Sequence, residues 1–181
     1  GVYVNGTDDS VINSNVSGNR YGVNIYGDND SIVNSAVSHN GLGVYVNGSN
    51  NSFVGDRFQG DGLVLLGPYY EVVANDTVNG RPLVYLYDAL NVTVSNAGEV
   101  IAVDSRGLRV VGVNVSNATV GVQLWDVDDS VIEDVVASGN VFGVNIYGDN
   151  DSIVNSAVSH NGLGVYVNGT NDSVINSNVS G

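Results

Sequence analysis

The sequence predicts an all-β fold, a right-handed parallel β-helix (a β-solenoid) with coils of about 21 residues. Three observations predict it: a repeat of that length, apolar–polar alternation inside each repeat, and turn-forming residues between the alternating runs.

Residues 1–21 read GVYVNGTDDSVINSNVSGNRY and residues 22–42 read GVNIYGDNDSIVNSAVSHNGL. A third copy opens at Gly43, and others open at Gly121, Gly143 and Gly164. Residues 22–48 recur letter for letter at 143–169, and 1–18 recur at 164–181 with one change, Asp8 against Asn171. Regular coils thus occupy 1–61 and 121–181, and the diverged stretch 62–120 keeps the rhythm in LVLLG and NVTVSN. A single β-helix domain over 1–181 is expected. It is also expected to be a segment of a longer repeat array, because 164–181 restarts the sequence of 1–18 and neither end is an atypical, capping coil.

Within a coil, Val2-Tyr3-Val4 and Val23-Asn24-Ile25-Tyr26 alternate, as a strand with one buried face must. Val, Ile and Tyr, which suit strands, dominate these runs. Asn-Gly, Asp-Asn-Asp and Ser-Gly-Asn separate them and supply turns and left-handed backbone. Each coil therefore holds two or three short strands, and successive coils stack about 4.8 Å apart. Alignment points Val2, Val4, Val11 and Val16 inward, then Val23, Ile25, Ile32 and Val37. The late coils repeat this with Val144, Ile146, Ile153 and Val158, and with Val165, Val167, Val174 and Val179.

The repeat GVxVxGxxxSVIxSxVSxN, with the stretch NGRPLVYLYDALNVTVSN…NVSNATVGVQL, resembles the NosD-like, CASH-type β-helix repeats found in archaeal cell-surface proteins. The resemblance covers nearly the whole chain. It implies the β-helix fold and a place at the cell surface. Copper, which the family's name evokes, wants Cys, Met or clustered His. The chain has no Cys and no Met, and its only histidines, His39 and His160, are copies of one turn position expected to be solvated.

The net charge is −14, from five Arg and no Lys against sixteen Asp and three Glu. Such a surface repels nucleic acid and anionic lipid and favours cations. No apolar run is long enough to cross a membrane. Acidic turns recur at one place in the coil, and stacking brings like charges close. Asp28, Asp30, Asp128, Asp129, Asp149 and Asp151 are therefore the expected metal ligands, with Ca²⁺ as the cofactor that suits carboxylate oxygens; the alternative is a solvated acidic surface that needs no specific ion.

Sequons begin at Asn5, Asn15, Asn29, Asn47, Asn50, Asn75, Asn91, Asn114, Asn117, Asn150, Asn168, Asn171 and Asn178. They fit an extracellular protein that carries N-glycans. Each Asp/Asn-Ser turn is followed by two adjacent aliphatics, of which one must leave the core. Alignment assigns the outward places to Ile12, Val33, Val54, Ile132, Val154 and Ile175, a stripe for self-association.

Catalysis on carbohydrate would need acids and cations converging on one face. The only such grouping is Asp104, Arg106 and Arg109, with Arg81, Tyr85, Tyr87 and Asp88 on neighbouring coils. It has no Lys base and no paired-acid motif. Near-perfect internal duplication builds length rather than a single site. The expectation is thus an extracellular structural protein and not an enzyme: a surface-layer, filament, sheath or adhesin-stalk component that associates with copies of itself, laterally or end to end. A β-helix that binds or processes carbohydrate is the alternative.

Overall fold

The computed structural model describes residues 1–181, and every regular element in it is a strand. About nine turns of roughly 21 residues build the solenoid, as the repeat predicts. In the first four turns the strands line three walls. The first wall holds Val2–Thr7, Tyr21–Asp28, Leu42–Asn47 and Leu63–Leu65. The second holds Ser10–Ile12, Ser31–Val33, Ser52–Val54 and Val72–Ala74. The third holds Asn15–Ser17, Ala36–Ser38, Arg57–Gln59 and Thr77–Val78. Pairing within each wall is parallel, and like residues stack: Val2 on Val23 on Val44, and Ile32 on Phe53. The first wall sends two columns inward and the other walls one each, so Val23, Ile25, Ile32, Val37 and Phe53 are fully buried, as the alternation requires.

The middle of the chain departs from a single straight tube. Thr77–Val78 is followed by Asn79 and Gly80, both at positive φ (52° and 76°), the backbone of a two-residue hairpin. The next strand, Arg81–Tyr87, therefore runs antiparallel to Thr77–Val78, with Val78 opposite Arg81. It opens a new wall continued by Glu99–Val103, Val120–Trp125, Phe142–Tyr147 and Leu163–Asn168. Opposed residues in an antiparallel pair share a face. Leu83 therefore stays on the side of Val78, and Ile101 and Val103 follow it into the first core. Their neighbours Val100, Ala102, Val122 and Leu124 point the other way and form a second, separate core. Chain direction and core face reverse together, which leaves the hand of the coil unchanged.

The new wall thus covers the end of the first tube. At that end Leu63–Leu65 has no following coil to pair with. Its amides are met by side chains from the covering wall: Leu63 N–H donates to the Glu99 carboxyl (3.1 Å), and Leu65 N–H donates to Gln123 Oε1 (3.1 Å). Gln123 Nε2 donates to the Leu65 carbonyl (2.9 Å), and Thr119 Oγ1 accepts from Gly43 and Gly62. An edge that would otherwise invite pairing is closed inside the molecule.

Candidate functional site

The turns carry polar ladders that the sequence does not announce. Asp9 N–H donates to Asp30 Oδ1, Asp30 N–H to Asn51 Oδ1, and Asn51 N–H to Glu71, at 2.9, 2.9 and 2.7 Å. A second ladder runs Ser14, Ser35, Asp56, Asp76, and a third runs Asn19, Asn40, Asp61. Each side chain satisfies a buried amide of the preceding coil, which is why acids sit inside the tube. Desolvation raises the carboxyls of Asp56 to about 6, Glu71 to about 8, and Asp76 and Asp151 to about 7, and holds Glu99 well above its usual range. The signal was present as Asp, Asn or Ser recurring just before each strand, but it reads equally as a solvated turn.

These ladders correct two of the expected Ca²⁺ ligands, Asp30 and Asp151. Asp30 and Asp151 are 1% and 2% exposed and serve as amide acceptors inside the coil, out of reach of an external ion. Asp28, Asp128, Asp129 and Asp149 lie at the outer turns. Asp28 accepts from Ser49 N–H, Asp128 from Asp149 N–H, and Asp149 from Thr170 N–H. Stacked like charges are relieved by these donors. No group of three or more His, Asp or Glu side chains suited to a metal ion forms anywhere.

The outward stripe is corrected at Ile132, which is 1% exposed and packs in the second core. The turn from Trp125 to Val131 holds one residue more than the turn from Tyr147 to Ser152. Ser130 thereby takes the ladder place of Asp151, and Ile132 stacks on Ile153. Glu133 occupies the outward position and pairs with Arg109 at 2.9 Å. Ile12 and Ile175 are exposed, and Val33, Val54 and Val154 are half-buried. The stripe is thus two short columns.

The sequons are exposed except Asn47, which is half-buried and accepts from the Tyr69 hydroxyl at 2.9 Å. Of the Asp104–Arg109 grouping, only Tyr87, Asp88 and Asp104 come together. Arg106 pairs with Asp129 and Arg109 with Glu133, while Tyr85 turns inward to the Glu71 amide and the Tyr69 carbonyl. Arg81 reaches away from these residues, to the Asn114 carbonyl at 2.8 Å. His39 and His160 occupy exposed turns at φ 55°.

Alignment also missed an aromatic column. On the wall of Val120–Trp125, the face opposite the second core carries Trp125 stacked on Tyr147, rings 3.8 Å apart and 7° from parallel. Tyr166 continues the column at 5.3 Å. Asn145 and Asn168 stand beside them in register with Gln123 and Trp125. Pro68, Asp128 and Asp149 join Trp125 and Tyr147 around a cleft of about 430 Å³. The Trp125 indole nitrogen and Asn145 Oδ1 are buried without a hydrogen-bond partner.

Architecture and site define the class as a right-handed parallel β-helix with ladder-lined turns. The chain belongs to the right handed beta helix region family, whose model matches residues 1–179. No curated protein matches the sequence. Among solved structures, one titled glycoside hydrolase aligns at TM-score 0.38 and 10% identity, over 88% of this chain and 37% of its own. The plasmid-mediated fluoroquinolone resistance protein QnrB1, trypsin-treated, aligns at TM-score 0.25 and 10% identity, over 83% of this chain and 76% of its own. The chain thus spans little more than a third of the first of these. The expectation that the chain is not an enzyme is corrected by the family: right-handed β-helix members are often glycoside hydrolases or pectate lyases. Internal duplication and the missing Lys are no ground for excluding catalysis.

Proposed function

We propose that this protein recognises carbohydrate through the outward face built by Trp125, Tyr147 and Tyr166. The stacked Trp125–Tyr147 pair carries the reading. Flat aromatic rings lie against the C–H faces of sugar rings, and flanking amides such as Asn145 and Asn168 meet the hydroxyls. The chain has a single Trp, so its fluorescence reports on this face alone. Titration with neutral oligosaccharides is expected to shift Trp emission, and Trp125→Ala to remove binding measured on a glycan array. An emission unchanged across the neutral panel, with a blank array, would sink the reading.

Localisation outside the cell fits the same reading, because exposed sequons such as Asn5, Asn29, Asn75 and Asn178 lie apart from this face. A second reading, a structural surface protein that associates with its own copies, is favoured by the outward column of Ile12, Val33 and Val54.

A further inference from the structure

The two ion pairs of the chain use Arg106 and Arg109, and Arg20 lies over the Tyr21 ring at 5.5 Å. Arg57 and Arg81 remain, both exposed and neither paired with an acid. They line two adjoining clefts where the third wall of the first tube meets the hairpin. One, of about 500 Å³, is bounded by Arg81, Asn79, Asn114 and Asn117; the other, of about 580 Å³, by Arg57, Asn15, Ser38 and Thr77. His39 and Gln59 belong to both, so the clefts form one groove. No carboxylate lines either cleft, in a chain with nineteen acids. Asp61, an acid near His39, is 1% exposed behind the wall and held by Asn40.

We propose that this groove binds an anionic saccharide, one bearing carboxylate or sulfate groups. The guanidiniums of Arg57 and Arg81 meet the anions, and the amide and hydroxyl side chains between them meet the sugar hydroxyls. Nucleic acid is disfavoured as occupant because base stacking needs exposed rings: the lining's one phenyl ring, Phe58, is 2% exposed and packed in the core, which leaves the His39 imidazole alone. The saccharide class follows the proposed function, but the groove shares no residue with the Trp125 cleft.

The test titrates the full chain with dextran sulfate, dextran and polyuridylate at fixed ionic strength. Dextran sulfate is expected to bind, more weakly as salt rises. The variant R57Q/R81Q should lose about tenfold in affinity for it, from the loss of charge-assisted contacts. R106Q/R109Q should keep the affinity, and Trp125→Ala should keep it too, which separates failure of the groove from failure of the aromatic face. Arg81 also holds Asn114, so if its substitution unfolds the chain, Arg57→Gln alone must still weaken binding. Unchanged affinity in the folded Arg57 and Arg81 variants overturns the proposal. Equal loss in R106Q/R109Q, or polyuridylate bound as tightly as dextran sulfate, overturns it as well.

Discussion

At the scale of single residues, the acids divide by what they face. Asp30, Asp56, Glu71 and Asp76 sit inside the tube because each accepts an amide that the turn leaves unpaired. Burial favours their neutral form, so the folded-state pKa of Asp56, Glu71 and Asp76 lies above the unfolded value near 4. A raised carboxyl contributes stability that is complete below the unfolded pKa and is lost as pH rises through the folded one. Between pH 5 and pH 9 the melting temperature should therefore fall. Glu71→Gln, which keeps an acceptor without a titrating group, should flatten that decline. A melting temperature that climbs over this range in thermal scans would contradict the assignment.

At the scale of the strand, one residue in a turn decides what a side chain does. The turn before Val131 carries one residue more than the turn before Ser152, and this slips the register by one and sends Ile132 inward. Ile132→Ala should cost about 2–5 kcal/mol in denaturant unfolding, as buried aliphatic truncations do. Replacing Ile12, Val33 and Val54 together with Thr should instead leave the fold intact and abolish any self-association seen in sedimentation. A variant that unfolds would place those three side chains in the core; a wild-type chain that stays monomeric at high concentration would count against the column as an interface. Alignment by residue identity set Val131-Ile132 against Ile153-Val154, because both pairs follow a Ser. The ladder bond from Ser130 N–H to Asp151 and the stacking of Ile132 on Ile153 reveal the offset.

At the scale of the molecule, the hairpin at Asn79-Gly80 turns one predicted tube into two tubes sharing a wall. The junction depends on Gln123, whose amide both donates to and accepts from Leu65. Gln123→Leu would leave two buried backbone groups unpaired, at about 1–3 kcal/mol each. Hydrogen exchange at Leu65 should accelerate in that variant while exchange at Ile25, two coils away, holds steady. Uniform acceleration across both sites would mean that the tubes unfold as one unit rather than opening at the junction.

Coil length, strand alternation and the inward valine columns were legible in the sequence, because they are local and repeated, and stacking identical coils leaves each residue the same neighbours. Three things were decided only in the tertiary structure. The face of Asp30 and Asp151 depends on which amide in the next coil needs an acceptor. The second core depends on a reversal at two residues, Asn79 and Gly80, whose turn chemistry was readable but whose effect on every later strand was not. Arg57 and Arg81 meet because the hairpin lays a strand beside Thr77–Val78, and Pro68 meets Trp125 and Tyr147 because the second tube covers the end of the first, a contact between tubes that no periodicity along the chain encodes.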